Sequence, residues 1–97
     1  MKIPVSNTKV GVEEAKATYN TVKSGWISMG LKVQEFEKKI ANFVGSKYAV
    51  AVNNGTAALH LAIIASSVEE GDEVLIPDIT FASTAKVILY QKAIPIL

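Results

Sequence analysis

The hydrophobic positions in the first half of the chain recur every three or four residues, as they do along one face of a helix. The first series is Val12, Ala15, Tyr19 and Val22. It predicts a helix that ends before Gly25. The second series is Val33, Phe36, Ile40 and Phe43. It predicts an amphipathic helix from about Lys32 to Val44, and residues 1–9, which contain Pro4, are predicted to be an extended lead-in.

In the second half, short apolar runs alternate with helix-forming segments. Tyr48–Val52 predicts a buried strand, and Thr56 opens a run of helix formers that lasts to Ala65. Because that run is apolar almost all round, it predicts a helix buried on more than one side. Val74–Ile76 predicts a second strand, Ala82 to about Gln91 a further helix, and Ile94 the start of a third strand.

The predicted order in the second half is therefore β-α-β-α-β, which favours parallel strands in an α/β fold. Two helices in residues 1–47 precede the start of the sheet in residues 48–97. A parallel sheet needs both faces covered, and only three strands are predicted before the chain stops inside an apolar run. We therefore expect these 97 residues to be the front portion of a longer protein.

Two loops follow predicted strands at the edge of the sheet where open α/β folds bind ligands. In the first, Asn53 to Thr56, Gly55 can take a backbone conformation closed to other residues and Thr56 can cap the next helix. The unpaired N–H groups of such a helix start favour a phosphate, although a plain turn with a capping Thr fits this stretch equally well. The second loop, Pro77 to Phe81, adds an aromatic ring. Together they suggest a phosphorylated, planar ligand.

The amino-acid composition argues against several classes of function. The formal net charge is +1, which gives no broad footprint for nucleic acid, and there is no Cys for a disulfide or a thiol nucleophile. No apolar run is long enough to cross a membrane, so we expect a cytoplasmic protein. The acidic stretch Glu69–Glu73 matches no calcium-binding pattern and is interpreted as a solvated turn, so no metal site is predicted. His60 is interpreted as a packing residue.

Five short motifs occur in the order and spacing of one enzyme family. They are Gly25-Trp26-Ile27-Ser28, Val33-Gln34-Glu35-Phe36-Glu37, Val50-Ala51-Val52-Asn53-Asn54-Gly55-Thr56-Ala57-Ala58-Leu59, Gly71-Asp72-Glu73-Val74 with Pro77, and Thr80-Phe81. In these the chain resembles the DegT/StrS-type sugar aminotransferases, which are pyridoxal-phosphate (PLP) enzymes of the aspartate-aminotransferase fold, fold type I. The resemblance implies that residues 1–97 are the N-terminal portion of the family's large domain, with an incomplete part of its mostly parallel sheet.

The resemblance also implies roles for individual residues. Gly55 and Thr56 would bind the cofactor phosphate through backbone N–H groups and the Thr hydroxyl, Ala57 would add a backbone contact, and Phe81 would stack on the pyridine ring. The loop from Gly25 to Gly30 would lie near the active site, at a dimer interface. From the residues alone, a loop folded onto its own core is the commoner case, and a place at an interface or a ligand edge is the alternative.

The family transfers an amino group, usually from glutamate, to a keto-sugar carried on a nucleotide, in sugar and polysaccharide biosynthesis. Its Schiff-base lysine and the carboxylate partner of the ring nitrogen are expected beyond Leu97, so these 97 residues alone are expected to be inactive. Lys86 stands where the family often has Asn, and we interpret it as a surface residue. A homodimer is implied for the whole enzyme. Two alternatives remain open: a PLP-dependent sugar dehydratase of the same family, and a non-catalytic α/β domain that binds phosphate or a partner.

Overall fold

The first helix starts and ends where its sequence provides the expected signals. In a computed structural model, which describes residue 3 and residues 6–97, helix α1 spans Val12–Lys23. The Glu14 carboxylate accepts a hydrogen bond of 2.7 Å from the Gly11 N–H, and this bond lowers the pKa of Glu14. Glu13 and Glu14 lie in the first turn and Lys23 in the last, which suits the helix dipole. The predicted helix is confirmed; the predicted lead-in lies partly outside the described residues.

Helix α2 spans Leu31–Val44, as its periodicity predicts, and Gly45 ends it with a left-handed φ of 72°. The Ser46 N–H then closes the end by donating to the Ala41 carbonyl at 2.9 Å. Burial differs from the pattern, because Ala41 is buried whereas Phe36 and Phe43 are 57% and 88% exposed. The apolar stripe therefore forms the helix without being covered by the described residues.

The exposed side of α2 carries a three-residue charge network that predicts an unusual titration. The Glu35 carboxylate accepts hydrogen bonds from Lys39 at 2.8 Å and Lys32 at 2.9 Å, and these bonds lower its pKa from 4.5 to about 2. Since the pKa is lower in the folded state, the network stabilises the fold above pH 4.5 and this stabilisation is lost as the pH falls towards 2.

We expect a carboxyl-detected NMR titration of Glu35 to show a midpoint near pH 2 at low salt. Adding salt to roughly 1 M should move the midpoint up, because exposed ion pairs are screened. Lys32→Gln with Lys39→Gln should move it to the ordinary range for glutamate. A midpoint near 4.5 in the unaltered protein at low salt would show that these contacts do not persist in solution.

The loop between α1 and α2 is closed on itself by Trp26. Its indole N–H donates to the Met29 carbonyl at 3.0 Å, and the positive φ of Gly25, 76°, turns the chain into the loop. A Cβ added to Gly30 would lie 2.2 Å from the indole nitrogen, so Gly30 is needed for the ring to lie this close to the backbone. The loop therefore keeps its shape through an indole packed on a glycine.

Replacing Gly30 by Ala should push the indole out of this position and cost about 1 kcal/mol, the net worth of its hydrogen bond. The fluorescence of Trp26 is obtained by subtracting the spectrum of a Trp26→Phe protein. Its quenching by acrylamide should be greater in Gly30→Ala than in the wild type. Ser28→Ala, in the same loop, is the matched control and should leave the quenching unchanged. Equal quenching of the Gly30→Ala variant and the wild type would refute the packing of the indole on Gly30.

The two strands found among the described residues form a small parallel sheet. Strand β1, Glu73–Leu75, pairs with β2, Ile94–Ile96, in the register Glu73↔Ile94 and Leu75↔Ile96. Helix α4, Ser83–Tyr90, connects them and buries Val87 and Ile88, each 1% exposed, together with Ala93 at 2%. This cluster is completed by half-buried residues, namely Ile63, Val68, Val74 and Ile76. The α/β class is confirmed.

The predicted first strand is wrong in this structure. Tyr48–Val52 is not a strand, and Tyr48 and Val50 are 74% and 77% exposed. The physical reason is that a strand is defined by ladder hydrogen bonds to a neighbour, and the described residues pair only β1 with β2. The apolar alternation of a segment predicts only its capacity to form a strand.

The chain divides into two compact units, Met1–Tyr48 and Ala49–Leu97. Helix α3 lies in the second and spans Gly55–Ala65. The prediction that it is buried on more than one side is wrong, because none of its residues is fully buried and Leu61 and Ile64 are 50% and 48% exposed. Only part of its surface packs, chiefly against α4.

Candidate functional site

The start of α3 is capped by Asn54. The Asn54 Oδ1 accepts a hydrogen bond of 2.9 Å from the Ala57 N–H, and its carbonyl accepts one of 3.2 Å from the Ala58 N–H. The expectation that Thr56 caps this helix is therefore wrong. Asn is a strong N-cap residue, so the preference of the residue before the helix was the signal that the sequence prediction missed.

The cap leaves three donors open at the same helix turn. Across the described part of the chain, the N–H groups of Gly55 and Thr56 donate to no protein acceptor, and the Thr56 hydroxyl has no hydrogen-bond partner. Gly55 is exposed and Thr56 is half-buried. The N-terminal end of a helix carries partial positive charge, so this turn presents unused donors in the field that favours an anion.

The glycine at this turn is not required by the fold. Gly55 is absent from the residues with positive φ, so it does not use the backbone conformation that is open to glycine and closed to other residues. A Cβ added there would meet no heavy atom within 4 Å. Any small residue would therefore fit this backbone, and what glycine keeps open is the space beside the free N–H groups. A phosphate group needs such space to approach a backbone closely.

Ala57 and Phe81, the other two predicted cofactor contacts, differ from Gly55 and Thr56. The Ala57 N–H is already engaged by Asn54, so a ligand contact at Ala57 requires that hydrogen bond to be shared or replaced. Phe81 lies just before α4, and it is 78% exposed. Its carbonyl accepts from the Thr84 N–H at 3.0 Å, which places Phe81 at the start of that helix. The ring is therefore free to contact a ligand, and its stacking role stays a prediction.

The other polar residues singled out in the sequence have structural partners or are exposed. In the acidic turn, Asp72 accepts from the Glu69 N–H at 2.8 Å and Glu70 pairs with Lys92 at 3.0 Å. Lys86 is exposed on α4, as predicted. Among the residues with described positions, no group of three or more His, Cys, Asp or Glu could hold a metal ion.

The N-terminal unit has a concave surface of its own. A cavity of about 820 Å³ is lined mainly by the end of α1, the loop 24–30 and the start of α2. Trp26, Met29 and Leu31 give it an apolar wall, and Asn20 and Gln34 add amides. This is space for an organic group rather than for an ion. That the loop from Gly25 to Gly30 lies near the active site stays a prediction.

The α/β unit, with unused N–H donors at the start of α3, has the architecture that the motifs predict. The model of the DegT/DnrJ/EryC1/StrS aminotransferase family matches residues 8–97. This match covers nearly all of the chain, which belongs to that family.

Known proteins resemble the chain closely over this region. The chain is 49% identical over 94 residues, or 97% of its length, to the spore coat polysaccharide biosynthesis protein SpsC of Bacillus subtilis. Spr1654 of Streptococcus pneumoniae, assigned as a sugar aminotransferase and solved in its PLP form, superposes with a TM-score of 0.87 at 32% identity, over 99% of the chain. A GDP-4-keto-6-deoxymannose-3-dehydratase, solved with a PLP–glutamate adduct, superposes with a TM-score of 0.87 at 27% identity, over 97% of the chain.

These relatives fix the fold and the cofactor of the family. Its solved members are PLP fold-type I enzymes, and Spr1654 is known in PLP and pyridoxamine-phosphate (PMP) forms. The chain spans 24% of the length of SpsC and of Spr1654, and 26% of the length of the dehydratase. No helix formed by the described residues has the length and apolarity that crossing a bilayer requires.

Proposed function

We propose that the natural protein is a PLP-dependent sugar aminotransferase and that residues 1–97 form the N-terminal portion of its large domain. The observation that carries this proposal is the first turn of α3, where Gly55 and Thr56 offer two unused N–H groups and a hydroxyl. Membership of an aminotransferase family supports reading this turn as a cofactor site rather than as a plain turn.

In this proposal the chain's own residues hold the cofactor phosphate. The Gly55 and Thr56 N–H groups and the Thr56 Oγ1 donate to phosphate oxygens, and the helix dipole adds to the attraction. Asn54 keeps the turn formed by engaging the Ala57 N–H, so the two donors before it stay aligned. Phe81 stacks on the ring, and Ala57 adds a contact if its cap is shared. Bound PLP supplies an electron sink for amino-group transfer.

The substrate proposal is an amino group moved from glutamate to a nucleotide-linked keto-sugar. It is supported by the family and by the similarity to SpsC, whose name places that protein in spore coat polysaccharide biosynthesis. Nucleotide-linked sugars and glutamate are cytoplasmic metabolites, which is the ground for proposing the cytoplasm. A homodimer is proposed for the full-length enzyme, with the Schiff-base lysine and the carboxylate partner of the ring nitrogen on residues beyond Leu97.

The test uses the full-length natural chain with PLP, glutamate and a panel of nucleotide-linked keto-sugars. We expect 2-oxoglutarate and an amino-sugar to form in equal amounts. Loss of a hydroxyl from the sugar with no nitrogen gained would identify a dehydratase, the activity for which one solved relative is named. Failure to bind PLP would leave the non-catalytic phosphate-binding alternative and overturn the proposal.

A further inference from the structure

His60 contacts two residues at the far end of α4. Its Nε2 lies 3.0 Å from the Gln91 Nε2, and its ring meets the Tyr90 ring edge-on with 5.2 Å between centroids. With these two nitrogens facing each other, the Gln91 amide donates to an unprotonated imidazole nitrogen. His60 and Gln91 are both half-buried. We call His60, Tyr90 and Gln91 the histidine clasp.

The histidine clasp adds a directional contact to the apolar packing of α3 against α4. No residue of α3 is fully buried, and Leu59, Leu61 and Ile64 are between 40% and 50% exposed. Ile63 packs against the cluster formed by Val87, Ile88 and Ala93. Apolar packing is non-directional, so it fixes the position of a helix more firmly than its rotation. The directional hydrogen bond of His60 constrains that rotation.

That rotation determines where the open donors point. Thr56 and His60 are four residues apart, so they lie on the same face of α3 and about 6 Å apart along its axis. Turning the helix about its axis would carry the Thr56 hydroxyl sideways from the position it has in this structure. His60, which resists this rotation, lies one helical turn after Thr56, which would bind the phosphate.

We propose that His60 is a positioning residue, which through Gln91 and Tyr90 holds α3 at the rotation that aims the Gly55 and Thr56 donors at the cofactor phosphate. This inference rests on the proposed PLP site. His60 itself contacts no cofactor in this role. The sequence predicted a packing residue at this position. In this proposal its hydrogen bond also sets the rotation of α3.

The experiment is a double-mutant cycle in the full-length protein. His60→Phe keeps an aromatic ring against Tyr90 and removes the hydrogen-bond acceptor, and Gln91→Met keeps the chain length and removes the donor. Dissociation constants are measured for PLP and for pyridoxal, which lacks the phosphate, together with the thermal midpoint. Lys86→Gln, an exposed change on α4, is the matched control.

We expect each single variant to weaken PLP binding about fivefold, in line with the loss of one hydrogen bond, and to leave pyridoxal binding unchanged. The double variant should be no worse than the poorer single one, because both remove the same interaction. The control should match the wild type in both constants.

The outcomes separate the two proposals. A lower thermal midpoint with an unchanged ratio of PLP to pyridoxal affinity would mean a purely structural clasp and would overturn this inference alone. Additive effects on PLP binding would overturn it too, because the residues would then act independently. A wild type that binds no PLP would overturn the proposed function and, with it, the positioning role.

Discussion

Replacing Ile88 by Ala is expected to destabilise the fold by about 3 kcal/mol. Ile88 is 1% exposed and lies at the centre of the cluster that joins α4 to the sheet. Removing three side-chain carbons there loses the transfer free energy of those atoms and leaves a cavity that Val87 and Ala93 cannot fill. Chemical denaturation of the full-length protein, followed by a probe in this region, measures the loss.

Leu89 is the matched control for Ile88. It is the next residue in α4 and 56% exposed, so Leu89→Ala should change the unfolding free energy by no more than about 0.5 kcal/mol. Leu and Ala are both good helix formers, so helix propensity does not explain the difference. Equal losses in the two variants would show that the Ile88 cluster is not the core of this unit.

Replacing Gly55 by Ala is expected to move stability and cofactor affinity in opposite directions. The backbone at Gly55 has no positive φ and an added Cβ meets no atom, so Ala should stabilise the fold by about 0.5 kcal/mol through the unfolded state. The same methyl group would occupy the space kept open beside the free N–H groups. PLP binding should weaken at least about thirtyfold, or roughly 2 kcal/mol.

Pyridoxal binding and a distant substitution give the controls for Gly55. Pyridoxal lacks the phosphate, so its affinity should be the same in the Gly55→Ala protein and the wild type. Ala65→Ser, at the other end of α3, should leave both affinities unchanged. If Gly55→Ala binds PLP as tightly as the wild type, the phosphate does not approach this residue, and the site assigned to the first turn of α3 is wrong.

The four helices of the described residues were predictable because each carries its own signal. Series such as Val12 to Val22, and stops such as Gly45, act within one segment, and the structure places helix ends within one or two residues of them. The segment Tyr48–Val52 was not predictable in this way. Its apolar alternation reports capacity to pair, whereas forming a strand depends on a neighbour that a local pattern does not contain.

The candidate site was predictable in position but not in detail. The run from Asn53 to Thr56 indicated a helix start able to bind an anion, and the structure has α3 begin at Gly55. The sequence did not show whether Asn54 or Thr56 caps the helix, because that depends on the backbone geometry of the first turn. That choice matters chemically, because capping by Asn54 leaves the Thr56 hydroxyl free. The contact between His60 and Gln91 spans 31 residues, beyond any local pattern.

The position of the phosphate in a crystal structure of the full-length protein with PLP tests the central claim most directly. We predict a phosphate oxygen within about 3 Å of the Gly55 N–H, of the Thr56 N–H and of the Thr56 Oγ1, at the start of α3. Electron density for the phosphate at another helix start or loop, with these three donors left on solvent, would contradict the account.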